Sequence, residues 1–243
     1  MTKELYKSMI SAEDKIAAYR LEKAAFFIPE NIVANDMEII YSPSNKYYIT
    51  ITKYKANHKI YTLGSVYLNS NNELISEIQR DYATFPLVFI ENHANGHDYL
   101  VCSEDTQGQT VVELDTGKKA SWVPTLAGFC WVDMTPSPSG NLIAVDGCYW
   151  ACPYEIKIFD FSNPLFPPFE CLTEDYSIEK FNGWNKDETC SIYVEYETRK
   201  SDGKPIKDLT EKEENDLYAQ LDPGHNHNDL FGYENKEFVW SKS

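Results

Sequence analysis

Pro136-Ser137-Pro138-Ser139-Gly140-Asn141-Leu142-Ile143-Ala144-Val145 is the stretch on which the fold turns. Pro presets one turn dihedral, Ser hydroxyls bond the local backbone, and Gly supplies a positive φ. The apolar run Leu142–Val145 follows the turn, and Phe129–Met134 precedes it. This is the pattern of two strands joined by a tight turn. A second copy lies 95 residues upstream, where Ser42-Pro43-Ser44-Asn45 leads into Lys46-Tyr47-Tyr48-Ile49-Thr50-Ile51-Thr52. Half of that spacing is about 47 residues, the length of one β-propeller blade.

Two further turn clusters occupy the intermediate positions. Asn92-His93-Ala94-Asn95-Gly96 precedes Tyr99-Leu100-Val101-Cys102, and Gly183-Trp184-Asn185-Lys186-Asp187 precedes Cys190-Ser191-Ile192-Tyr193-Val194. Each unit has the same internal order. A first apolar run comes before the turn: Met37–Tyr41, Pro86–Ile90, Phe129–Met134, Ile178–Phe181. A second follows it. A third ends in a polar turn at Asn69, Gly117 and Asp160, and a fourth, shorter run closes the unit: Leu74–Ile78, Ala120–Val123, Phe169–Leu172, Glu237–Trp240. Alternation at Val112/Leu114 and Ile156/Ile158 indicates half-buried strands.

The Pro136–Ala144 turn is similar to the Ser-Pro-Asp-Gly-Lys-x-Leu-Ala turn of WD-repeat and related propeller blades. The third runs, ending at Leu114-Asp115 and Phe159-Asp160, are similar too, and the resemblance spans residues 36–200. It implies an all-β, propeller-like domain of about four blade-like units, each of four antiparallel strands. Ser139 and Ser44 stand where the family carries Asp, and no unit has the Gly-His and Trp-Asp signature. The organisation expected is an N-terminal helical segment, 1–35, then a single β domain, 36–243, with an acidic helical insertion at 199–228.

Ser11-Ala12-Glu13-Asp14 reads as a helix start. Ala17, Leu21, Ala24 and Ile28 then share one helical face, and Pro29 ends the helix, which predicts an amphipathic helix over 11–28 covering a strand edge. In the insertion, Thr210-Glu211-Lys212-Glu213 is a capping box leading into Leu217, Tyr218 and Leu221, and Asp222-Pro223-Gly224 stops it. This helix falls between the second and third strands of the fourth unit.

The chain has 243 residues, with 38 Asp+Glu against 22 Lys+Arg and a net charge of −16. Residues 170–243 hold 18 acids and 9 bases. This excess argues against nucleic-acid binding, which needs clustered cations at phosphates. No run approaches the ~18 apolar residues of a membrane span. The first residues, MTKELYKSMISAEDK, have no signal-peptide core, and no Asn-x-Ser/Thr acceptor occurs. Cytoplasmic localisation with reduced thiols is therefore expected for the six cysteines.

Asp146-Gly147-Cys148-Tyr149-Trp150-Ala151-Cys152-Pro153-Tyr154 reads as an aromatic loop between strands. Tyr149, Trp150 and Tyr154 are candidate anchors for a partner, with Asp146 and Glu155 supplying polarity. Glu211, Glu213, Glu214 and Asp216 are candidate steering charges for a basic partner. Cys148 and Cys152 are four apart, and a zinc knuckle would need closer spacing and two more ligands. A redox pair there needs Cα atoms within about 7 Å. His93 and His97, and His225, His227 and Asp229, are weak metal candidates without a zinc spacing, so no metal and no cofactor is expected. No nucleophile elbow, phosphate loop, dinucleotide fingerprint or His-Glu-x-x-His occurs.

The function expected is non-catalytic protein binding through the loop face. Two alternatives are an acidic inhibitor or immunity-type protein covering a basic surface, and a hydrolase with its site at the propeller mouth. A catalytic role for Cys148 or Cys152 with a distant His stays open at this level.

Overall fold

The computed structural model describes residues 16–125, 127–150, 152–174, 176–221 and 226–242. The chain divides into two compact units, Met1–Leu172 and Thr173–Ser243. The described residues are mostly β. No described helix is long and apolar enough to cross a membrane.

The first unit holds three antiparallel meanders. Strands β1 (Ile32–Tyr41), β2 (Tyr47–Ala56), β3 (Lys59–Leu68) and β4 (Glu73–Arg80) make the first sheet in sequential order. The β2–β3 turn is Asn57-His58, both at positive φ, as a two-residue hairpin requires. The second sheet is β5 (Val88–Ile90), β6 (Tyr99–Cys102), β7 (Gln109–Glu113) and β8 (Lys119–Trp122). β9 (Phe129–Pro136), β10 (Leu142–Tyr149) and β11 (Glu155–Asp160) make a third meander. Its expected fourth strand, Phe169–Leu172, is reduced to one bridge between Phe159 and Cys171.

The two Ser-Pro-Ser turns are built alike. Ser42 N donates to Tyr47 O at 2.9 Å and Ser137 N to Leu142 O at 2.8 Å. Each Ser hydroxyl also accepts from the backbone of that same partner, at 3.1 Å from Tyr47 N and 3.2 Å from Leu142 N. The position of positive φ is Asn45 in one and Gly140 in the other.

Alternation along β6 decides the packing of this unit. Leu100 and Cys102 point into one core with Tyr47, Ile49, Val66 and Ile78 of the first sheet. Tyr99 and Val101 point into another with Trp131, Ile143, Val145 and Phe159 of the third. The middle sheet is thus apolar on both faces, and each fully buried aliphatic side chain contributes about 1.5–3 kcal/mol.

Helix α1 occupies residues 16–24. The expected start at Ser11–Asp14 lies outside the described residues. The far end differs from expectation, because the helix stops before Phe26 and Phe27, and Pro29 opens a separate 3-10 turn, Pro29–Asn31. Phe26 stacks on Tyr61 at 4.7 Å, and Phe27 meets Tyr54 edge-on at 5.1 Å. The expected apolar face is also turned outward, with Leu21 79% exposed. The face turned inward is Ile16, Tyr19, Arg20 and Lys23. Glu104, 1% exposed, selects it. Tyr19 OH donates to Glu104 O at 2.8 Å, and Arg20 Nε lies 3.1 and 3.0 Å from the Glu104 carboxylate oxygens. A buried carboxylate without cations is costlier than a solvated Leu.

The second unit is centred on β13 (Cys190–Arg199), with β15 (Phe231–Trp240) paired along its whole length. β12 (Ile178–Trp184) and the two-residue β14 (Lys204–Pro205) share its other edge. The sequence expectation placed a short fourth strand at Glu237–Trp240. The structure shows instead the end of a ten-residue strand that pairs directly with β13. Glu234-Asn235-Lys236 hid its first half, because an exposed strand segment carries no apolar alternation. Between β13 and β15 lie α2 (Glu211–Tyr218) and the single turn α3 (His227–Leu230).

Candidate functional site

The β10–β11 connection is shorter than its sequence suggests. β10 runs on to Tyr149, pairing Cys148 with Cys130 and Tyr149 with Phe129. Asp146 therefore sits within the strand, opposite Asp133. Burial, and then the Asp133 charge, raise the Asp146 carboxyl above its ordinary range. The Tyr149 ring packs edge-on against Phe129 at 5.3 Å. Glu155 opens β11 and lies 3.6 Å from Lys157 Nζ. What projects is the remaining turn, where Trp150 is 61% and Tyr154 63% exposed. Cys152 N donates to Tyr149 O at 2.8 Å and closes that turn.

The acidic insertion belongs to the second unit. Thr210 caps α2 through the expected capping box: Glu213 N donates to Thr210 Oγ1, and Thr210 N donates to Glu213 Oε2. Glu213 is further held by Lys204 Nζ at 3.1 Å. The Thr210 N–H and hydroxyl, then Lys204, pull its carboxyl down to about 2. Glu213 is thus committed to the helix start, whereas Glu211 and Asp216 are exposed and Glu214 is half-buried.

His225 lies outside the described residues. His227 Nε2 is 3.1 Å from Glu197 Oε1, and its ring stacks on Phe231 at 4.2 Å. Asp229 accepts from Asn226 N in the cap of α3. His93 is buried, its Nε2 3.2 Å from Phe161 O and its Nδ1 accepting from Asn95 N. Among the described residues, no group of three or more His, Cys, Asp and Glu is placed to hold a metal.

One constellation escaped the sequence reading. Lys46 Nζ lies 2.7 Å from Asp98 Oδ2 and 3.3 Å from Asp115 Oδ1. The Tyr47 hydroxyl bridges the same two carboxylates at 3.0 and 3.1 Å. Asp98 N in turn donates to Asp115 at 2.9 Å. Burial raises both carboxyls, but for each its hydrogen bonds and Lys46 outweigh it and the net shift is downward. The group ties the first Ser-Pro turn to the second sheet, beside a cleft of about 340 Å³ lined by Tyr47, Leu68, Leu74, Leu114 and Thr116. A terminal Asp after an apolar-x-apolar run signals its strand end, but its partners come from turns far away in sequence.

No disulfide joins the six cysteines, all of which are described. Cys102 and Cys190 are buried, and burial pushes their thiols up to about 12 and about 11.

No family model matches the chain. Among solved structures, the crystal structure of the tricorn protease aligns with 80% of this chain at 14% identity and a TM-score of 0.37. That alignment takes in only 17% of the protease chain. Among proteins compared by sequence, "Uncharacterized protein R762" of Acanthamoeba polyphaga mimivirus is 30% identical over 197 residues, covering 76% of this chain and 77% of the relative. The chain belongs to the same family as that mimivirus protein.

Proposed function

We propose that this protein is a non-catalytic, cytoplasmic protein-binding module of propeller-like architecture, with Trp150 and Tyr154 as its anchors. The propeller-like reading is supported by the first unit, whose successive meanders stack face to face with the second sheet buried on both sides. The observation that carries the binding reading is the exposure of two large aromatics within five residues, on a turn held by its own backbone bond. Trp and Tyr are enriched among the few side chains that carry most of the energy of protein interfaces. Asp146 and Glu155 flank them, which favours a partner carrying cations at its rim.

Affinity capture with wild-type protein and a Trp150→Ala/Tyr154→Ala double variant tests this. A partner kept by the wild type through high salt and lost by the folded double variant supports the reading. Equal retention by both proteins sinks it. A second reading, an acidic inhibitor covering a basic surface, is favoured by the exposed Glu211 and Asp216 on α2 and the net charge of −16. Capture that disappears at high salt irrespective of Trp150 would select that reading.

A further inference from the structure

Cys130 of β9 and Cys148 of β10 are direct cross-strand partners. Directly opposed residues of antiparallel strands have Cα atoms about 4.5–5.5 Å apart, on the same face. Both values fall inside the window in which a disulfide closes without backbone movement. Burial first, and then the neighbouring Cys148 thiol, hold the Cys130 thiol above its ordinary range. The strands approach closely here, since a Cβ on the adjacent Gly147 would lie 2.1 Å from Cys130 O. Access is graded along the three thiols: Cys130 is buried, Cys148 intermediate and Cys152 exposed on the turn that follows β10.

We propose that Cys130 and Cys148 are a reversible, disulfide-forming redox pair, oxidised by a low-molecular-weight disulfide that enters through Cys152. In the first step the Cys152 thiolate attacks one sulfur of the oxidant RSSR, releasing RS⁻ and leaving a mixed disulfide. The Cys148 thiolate then attacks Cys152 Sγ and expels the second RS⁻. Cys130 attacks Cys148 Sγ in turn and returns Cys152 to its thiol. Two protein thiols lose two electrons and two protons, and RSSR becomes two RSH. The order follows from accessibility. Burial and the neighbouring Cys148 hold the Cys130 thiol above its ordinary range, so it is a poor first nucleophile. As the resolving group it needs only to meet a sulfur already beside it. The product locks the β9–β10 hairpin two residues before Trp150. The inference stands whether or not Trp150 binds a partner.

The test treats full-length protein with excess oxidised glutathione, blocks remaining thiols by alkylation, and maps cross-linked peptides without reduction. Trypsin leaves all three cysteines in the fragment 120–157, so chymotryptic cuts at Trp131, Tyr149 and Trp150 are needed to separate them. The expected result is a loss of two of the six thiols and a link joining Cys130 to Cys148, reversed by dithiothreitol. Cys152→Ser is expected to reach the same product at least about tenfold more slowly. Six alkylated thiols after full treatment, a final link between Cys148 and Cys152, or a stable glutathione adduct as sole product would each overturn the proposal. An unchanged rate in Cys152→Ser would overturn the entry role.

Discussion

Arg20 Nε sits 3.1 and 3.0 Å from the two carboxylate oxygens of Glu104, whose other cation is Lys119 Nζ at 3.1 Å. This pairing holds α1 on the first unit by its polar face. Arg20 is partly exposed, which discounts its share, and Arg20→Ala is expected to cost about 1–2 kcal/mol. Glu104→Ala strands two cations and should cost more. Urea unfolding of each variant checks the order, and limited proteolysis after Lys23 should quicken in both. An Arg20→Ala protein as stable and protease-resistant as wild type would show that Ile16, Tyr19 and the Phe26 and Phe27 contacts hold the helix without Arg20.

The matched Ser turns make a paired prediction. Ser137→Ala removes the acceptor of the buried Leu142 N–H and should cost about 1–2 kcal/mol. Gly140→Ala should cost more, about 2–3 kcal/mol. Gly140 has φ +77, and its Cβ would meet Ile90 Cγ2 at 2.8 Å and His93 Cδ2 at 2.9 Å. Thermal unfolding of both variants, read at matched concentration, decides the ranking.

Gly147→Ala tests the close strand approach at the thiol pair. The added methyl would run into Cys130 O and the Phe129 ring at 2.1 and 2.8 Å. The strands must part to accept it, so a loss of about 1–3 kcal/mol is expected. A neutral substitution would mean that β10 is free to shift at its end.

Acid sensitivity follows from Asp98 and Asp115. Their folded pKa values lie below the unfolded value, near 4. Such groups stabilise the fold above that unfolded value, and the contribution is lost as pH falls through the folded one. Asp105 and Asp146, which burial raises, act in the opposite sense and favour folding as pH falls. Removing one lowered group should therefore flatten the profile. The drop in urea midpoint between about pH 7 and about pH 3 is expected to shrink in Asp98→Asn. An unchanged drop would place the acid-sensitive groups elsewhere.

Much of the strand order was legible because each Ser-Pro or Asn-Gly turn marks where one strand ends and its partner begins. Met37–Tyr41 and Phe129–Met134 fall within β1 and β9 for that reason. The helix face was misread because periodicity scores Leu21 and Ala24 as apolar and has no knowledge of Glu104, 80 residues downstream and in need of cations. β15 was read in part because its exposed half looks like loop. The Asp98–Lys46–Asp115 group and the Cys130–Cys148 pair depend on strand register, which one-dimensional spacing does not encode.

Leu100, Val101, Val111 and Val112 are fully buried and paired to one another between two flanking sheets. Their amides have no local route to solvent, because fraying an edge strand of either neighbour leaves the other in place. Hydrogen exchange at these positions should thus proceed only when the whole first unit opens, and their rates would report its global stability. The middle sheet is then the cooperative heart of the unit, and the slowest amides of that unit should lie in the apolar stretches of β6 and β7.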